Sequence, residues 1–531
     1  MNCAFEASRP ILRTELIRLF TLLAAGLCGS VLEPSNAWAV FPNVTPGFPV
    51  VVGSGANYLG PPVFADLNGD GENEIIFGAN DGKVYAYQGN GLQLWQFDTG
   101  DTGIGGKPSV ADIDGDGLLE VVVGAGSTLQ VGTTPGVTVV SNTGAFQCKF
   151  TTGSGVFSSP ALAELDFDDV GQKEIVFGSW DFKVRVLNHD CSLKYQVTLL
   201  DTPWSSPAIG DLDRDGIPEI VIGAPDNPNL PGSTGDGGLI HVFRNNLASE
   251  IPGFPYFIDE TVDSSPALGD IDGDGWLDIV VGAGWCWDRP ICAPLGVTHP
   301  VTEAVYALNR LGQLLPGWPV LLPSDRYVFG SPALADLDDN GDLEVVFNTL
   351  QKVEPPAVPD GWVYAVDGNG TTLAGWPTQP KTPATCDTSS FFGTSASPVI
   401  ADLDGTAGLE IALPSVWEVV VWSPAGVQLS RQDSCPDPPA EWAMVTGGPV
   451  ASIGIGDVDG DGAAELVATG IDASPLTGLL SAWSFGNAAI GASQPWPQFR
   501  RSADNHALFR FEIFLDGFES ASFSEWSATF P

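Results

Sequence analysis

Apolar residues along the chain fall into short runs that recur in a fixed order. A small-residue run such as Ser331-Pro-Ala-Leu-Ala335 comes first, followed by an acidic stretch. Next comes a β-branched run such as Glu219-Ile-Val-Ile-Gly223, and then a third run, as in Val305-Tyr-Ala-Leu308 or Val363-Tyr-Ala-Val366. Runs this short, rich in Val, Ile and Tyr and bounded by Gly, Pro, Asn and Asp, predict β-strands joined by tight turns. Gly and Pro fill 107 of the 531 positions. Both break helix interiors, so long helices are not expected.

The order repeats eight times. The acidic stretches begin at Asp66, Asp112, Glu164, Asp211, Asp270, Asp336, Asp402 and Asp457, with spacings of 46, 52, 47, 59, 66, 66 and 55 residues. Four short strands per unit of about 50 residues is the arithmetic of a β-propeller blade. Small residues suit the strands that converge on the axis, and Trp, Phe and Tyr suit the outer strands, where sheets diverge. Four units end in a Gly-aromatic-Pro step: Gly253-Phe-Pro255, Gly317-Trp-Pro319, Gly375-Trp-Pro377 and Gly47-Phe-Pro49. The last of these precedes the first acidic stretch. It reads as an N-terminal strand that completes the final blade and closes the ring. The expected fold is therefore all-β, an eight-bladed propeller over residues 40–510.

The runs Phe77-Gly78 and Gly223-Ala-Pro225, each behind an acidic loop, resemble the FG-GAP repeat. That repeat forms the propeller of integrin α subunits and occurs in many bacterial exported proteins. The resemblance spans roughly residues 44–500 and implies a propeller, calcium binding, and extracellular adhesion or recognition. Integrin propellers have seven blades, which leaves seven as the alternative count.

The acidic loops carry the chemistry. They hold 33 of the 65 Asp and Glu residues within 74 positions. Like charges packed this densely call for a cation. Side chains at positions 1, 3 and 5, a carbonyl at 7 and a carboxylate at 9 can converge on Ca²⁺, and oxygen-only donors suit Ca²⁺ better than Zn²⁺ or copper. The candidate ligands are Asp66, Asn68, Asp70, Glu72 and Glu74; Asp112, Asp114, Asp116, Leu118 and Glu120; and Asp211, Asp213, Asp215, Ile217 and Glu219. The later loops add Asp270, Asp272, Asp274, Trp276 and Asp278; Asp336, Asp338, Asn340, Asp342 and Glu344; and Asp457, Asp459, Asp461, Ala463 and Glu465. These six loops keep Gly at position 6. The loop at Glu164 is two residues longer, and the loop at Asp402 has Thr406 and Ala407 where Asp and Gly are expected, so neither is counted as a site. An EF-hand is excluded because Phe77 stands where position 12 needs Glu. The competing reading is a set of solvated acidic turns without metal.

A formal net charge of −44 excludes electrostatic binding to nucleic acid or an anionic membrane. Residues 1–39 read as a signal peptide: Arg9, Arg13 and Arg18 precede an apolar stretch from Leu19 to Leu32, then Ala37-Trp38-Ala39. A buried N-terminal helix is the alternative. No other apolar run is long enough to span a bilayer, so a soluble mature chain exported to the cell surface or beyond is expected. Six cysteines follow the signal. The expected pairs are Cys286–Cys292, Cys386–Cys435 and Cys148–Cys191.

The expected partner is an extracellular protein or a glycan. Loops between second and third strands emerge opposite the acidic loops and carry insertions at 124–136, 224–238, 283–303 and 348–361. Trp285, Trp287 and Arg289 lie in the longest and are the candidate partner-binding residues, the alternative being that both Trp pack on a neighbouring blade. No catalytic residue is assigned. There is no G-x-S-x-G or H-E-x-x-H motif, and the four His, at 189, 241, 299 and 506, are scattered, with His241 expected between blades. A lectin-like propeller is the nearer alternative, because Trp faces stack on sugars. A propeller polysaccharide lyase or quinone-dependent dehydrogenase is the more distant one. Residues 511–531 read as a separate tail, a sorting signal or an extra strand.

Overall fold

A computed structural model describes residues 42–52, 59–101, 103–126, 134–167, 171–226, 237–284, 302–351, 361–379, 396–405, 408–414, 418–430, 444, 450–473, 476–489, 496–498 and 501–505. The candidate signal peptide, the tail at 511–531, Trp285, Trp287, Arg289 and the other four expected disulfide cysteines lie outside these residues. All described elements are strands, and they form an eight-bladed β-propeller. The innermost strands of blades 1 to 8 are Val63–Ala65, Ser109–Ala111, Ala161–Ala163, Ala208–Gly210, Ala267–Gly269, Ala333–Ala335, Val399–Ala401 and Val450–Gly456. In each blade the acidic loop joins the innermost strand to the second. All eight acidic loops therefore share one rim, and the hairpins between second and third strands share the other.

The ring closes as the sequence suggests. Asn43–Val44 and Val50–Val52 pair antiparallel with Leu476–Ala489 and complete blade 8. At the same junction a Cβ on Gly454 or Gly456 would stand 2.7 or 2.9 Å from the Phe64 ring of blade 1. Only glycine permits that approach.

The Gly-aromatic-Pro steps are latches between blades. Gly317 has φ +89°, and a Cβ there would meet the Asn369 carbonyl oxygen of blade 6 at 1.8 Å. Trp318 then donates its indole N–H to the Gly368 carbonyl (2.7 Å), and Trp376 donates to Pro424 of blade 7 (2.8 Å). Both rings are buried. Each such bond contributes about 1 kcal/mol net, beyond the apolar area the ring removes from water. The core accordingly lies between sheets: one cluster runs from Val242 and Ile258 of blade 4 through Tyr306 and Phe347 to Trp422 of blade 7.

Two axial features were not anticipated. Backbone N–H groups just before the innermost strands donate to a serine of the next blade: Lys107 to Ser159, Ser159 to Ser206, Ser206 to Ser265, Ser265 to Ser331 and Ser331 to Ser397, at 2.7–3.0 Å. Two C-terminal stretches, 496–498 and 501–505, bond to innermost strands on different sides of the ring. Ile400 and Ile455 donate to the carbonyls of Trp496 and Pro497, while Val110 and Leu162 donate to those of Ala503 and Asp504. Innermost-strand amides of blades 7, 8, 2 and 3 are thereby satisfied by these stretches rather than by water. Part of the segment counted as last blade is taken up in these contacts.

Candidate metal centres

Each acidic loop is folded by its own carboxylates. The position 1 aspartate accepts the N–H of the position 6 glycine at 2.8–3.0 Å in all six regular loops. That glycine has positive φ throughout, as at Gly117 (+86°), which turns the amide inward. The position 5 side chain accepts the N–H of position 7, as Asp116 does from Leu118 (2.8 Å). The position 9 carboxylate accepts the N–H of position 2 in all eight loops: Glu74 from Leu67, Glu120 from Ile113, Glu174 from Leu165, Glu219 from Leu212, Asp278 from Ile271, Glu344 from Leu337, Glu410 from Leu403 and Glu465 from Val458. The two irregular loops keep this clamp.

Positions 1, 3 and 9 converge. Carboxylate oxygens of Asp112, Asp114 and Glu120 lie within 4.8 Å of one another, and so do those of Asp211, Asp213 and Glu219, of Asp270, Asp272 and Asp278, and of Asp336, Asp338 and Glu344. Glu164, Asp166 and Glu174 of the longer loop form the same triad. These groups can hold a metal ion. The donor set is all oxygen. One buried oxygen of Glu344, Oε1, has no hydrogen-bond partner, and Oδ1 of Asp270 likewise has none. A hard divalent cation supplies what these oxygens lack. In the first loop, Asn68 turns its amide N–H toward Glu74 Oε1 (2.7 Å) instead.

The loops differ in what neutralises them. In blade 3, Lys194 Nζ sits 2.9 Å from Asp166 and 2.8 Å from Glu174. In blade 4, the Arg244 guanidinium reaches Asp213 at 2.7 Å, Glu219 at 2.8 Å and Asp215 at 3.2 Å. Blade 6 is the opposite case. Asp367 occupies the turn position equivalent to Arg244, and both residues take the N–H···O bond that closes that turn. Asp367 adds to the negative field at Glu344. On the same rim Trp276 is sandwiched between the guanidinium groups of Arg214 (4.3 Å) and Arg310 (4.1 Å).

Burial is the main cause of the carboxyl shifts. It holds Glu219, Glu344 and Glu465 at about 7, and Asp278 and Glu410 at about 8, with neighbouring carboxylates pushing the same way. A coordinated cation would reverse that balance by favouring the charged form.

Elsewhere, Cys148 and Cys191 form the expected disulfide between blades 2 and 3. His241 is buried, stacked 5.2 Å from Phe243 with Nδ1 3.1 Å from Glu250.

A closed ring of antiparallel blades, each with a carboxylate-lined hairpin loop on one rim, defines a repeat propeller. The FG-GAP-like repeat matches residues 66–123, and the FG-GAP repeat matches residues 203–243 and 263–285. The chain carries FG-GAP-type repeats, consistent with an FG-GAP-repeat β-propeller protein. No curated protein matches it in sequence. Among solved structures, the V. cholerae biofilm matrix protein Bap1 is similar in fold, with TM-score 0.56 and 14% identity over 87% of this chain and 94% of that one. The quinohemoprotein alcohol dehydrogenase ADHIIG of Pseudomonas putida HK5 is similar too, with TM-score 0.51 and 12% identity over 86% of this chain and 78% of that one. The Comamonas testosteroni quinohemoprotein alcohol dehydrogenase has TM-score 0.50 and 11% identity over 84% and 77%. At these identities the likeness is of fold alone.

Proposed function

We propose that the protein is an exported, calcium-stabilised recognition module that binds an extracellular protein or glycan. The observation that carries the calcium reading is the repeated convergence of positions 1, 3 and 9, with the buried Glu344 Oε1 left without a partner. Bound there, Ca²⁺ neutralises the cluster and ties the innermost strand of a blade to the second. The same arrangement recurs around the ring, as a structural ion would and a single reaction centre would not. Residues 1–39 act as the export signal in this reading. The Cys148–Cys191 bond and the lack, among the described residues, of a helix long and apolar enough to cross a membrane are compatible with it. The segment carrying Trp285, Trp287 and Arg289, which falls in sequence between strands Asp278–Gly282 and Ala304–Leu308 of blade 5, is the candidate partner contact. Binding of the purified chain to cell-surface preparations, with calcium and with chelator, tests the reading. Saturable binding that the triple alanine variant weakens supports it; no surface binding under either condition contradicts it.

A further inference from the structure

We propose that the axial cavity on the rim opposite the acidic loops is a binding site for a neutral saccharide unit. This deepens the recognition reading, on which it rests, by naming a ligand class and a place. The cavity, about 210 Å³, is lined by residues from all eight blades, from Pro61 of blade 1 to Ser452 of blade 8. It therefore lies on the axis. Lys107 on its wall is fixed by donating from Nζ to the Ser502 carbonyl (2.7 Å).

Three kinds of group meet at its wall. Trp204 keeps 37% of its surface exposed and is held by an aromatic cluster, 4.5 Å from Trp180, which is itself 4.7 Å from Phe157. Such a fixed ring offers an apolar face to the C–H side of a sugar, with little ordering cost on binding. Ser159, Ser206, Ser265 and Ser331 each accept a backbone N–H from a neighbouring blade, and an accepting hydroxyl retains a proton to donate. Asp263 lines the same wall and offers carboxyl oxygens as acceptors.

Charge narrows the ligand. Burial, with Glu260 and Asp201 adding to it, disfavours negative charge at Asp263, which also disfavours a uronate or a sulfated sugar beside it. Lys107 in the same cavity disfavours an organic cation. A neutral polyhydroxyl ring donates to Asp263, accepts from the serines and stacks on Trp204 without adding charge.

Ligand-observed NMR and calorimetry on the full chain test this, with glucose, galactose, mannose and N-acetylglucosamine as probes and galacturonate and choline as charged comparators. At least one neutral sugar should bind, and Trp204→Ala and Asp263→Asn should each weaken it by about tenfold. If Trp204→Ala does not fold, Asp263→Asn, which keeps the shape and exchanges one acceptor oxygen and the charge for an amide N–H donor, decides. Sugar binding unchanged in the folded variants, or a charged comparator bound in preference, overturns the assignment. A chain that binds no neutral sugar yet still binds cell surfaces overturns it while leaving the recognition reading intact.

Discussion

Arg244→Met removes the cation built into blade 4 and keeps most of the side-chain stem. Glu219 is fully buried, and Arg244 holds it at 2.8 Å while also reaching Asp213 and Asp215. Removing one partner of a fully buried pair costs roughly 3–5 kcal/mol, whereas an exposed pair is worth about 0–1. The Arg244 side chain is 32% exposed, so water screens part of the interaction and a cost of about 2 kcal/mol is expected. Unfolding entropy of about 2.1 cal/mol/K per residue gives roughly 1 kcal/mol/K for a chain of this length. If the ring melts as one unit, Tm falls by about 2 °C in chelator. The freed triad of Asp211, Asp213 and Glu219 should then take calcium, as proposed for the triads of blades 5 and 6. Calcium at a hundred times its Kd adds about 2.7 kcal/mol per site, enough to offset the loss. Calorimetric melting with chelator and with calcium, beside calcium stoichiometry, is the assay. The variant should be weaker than the parent only in chelator and should bind one more ion. An equal Tm loss in both conditions, or unchanged stoichiometry, refutes the claim that Arg244 stands in for a metal.

Stability should depend on pH with opposite signs in the two conditions. In chelator, the buried carboxyls of Glu219, Glu344 and Glu465 titrate at about 7 when folded against 4.5 when unfolded, so the folded chain binds more protons between those values. Stability then falls as pH rises, by at most about 1.4 kcal/mol per unit for each group. Tm in chelator should be higher at pH 5 than at pH 8; in calcium the order reverses, because coordination needs deprotonated ligands. The same order in both conditions would exclude metal coordination by these groups. Gly317→Ala should lower stability by roughly 2 kcal/mol or more, since its Cβ would meet the Asn369 carbonyl at a φ that alanine disfavours. Gly69→Ala, also at positive φ but with nothing within 4 Å, should cost less, and equal losses on denaturant titration would remove the latch argument.

The strand order, the eight blades and the N-terminal closure were legible because each rests on a local signal repeated at a fixed phase. The acidic loops were legible as loops, with side chains expected at positions 1, 3 and 5, a carbonyl at 7 and a carboxylate at 9. The structure brings the carboxylates of positions 1, 3 and 9 together, a convergence that depends on the folded hairpin rather than on spacing alone. Lys194 and Arg244 escaped notice because they stand 20 and 25 residues beyond the glutamates they neutralise and arrive there only when the blade folds. The Glu164 loop was set aside for its length, yet its triad is intact; what differs is the lysine within it. The stretches 496–498 and 501–505 have no period and no repeat partner, so nothing in their residues indicated which innermost strands they would bond. The serines that line the axis were expected only as small residues, and the hydrogen bonds that chain them from blade to blade depend on the ring being closed.

The most direct test of the central claim is calcium titration of the chelator-stripped chain by calorimetry, with Tm followed alongside. Several ions should bind per chain, fewer than the eight loops because Lys194 and Arg244 already neutralise two, and Tm should rise as the sites fill. Lowering the negative charge around the blade 6 triad, by Asp338→Asn with Asp367→Asn, should weaken or remove one of them. No heat of calcium binding, together with a Tm that chelator and calcium leave unchanged, would show that the eight loops are acidic turns and hold no ion.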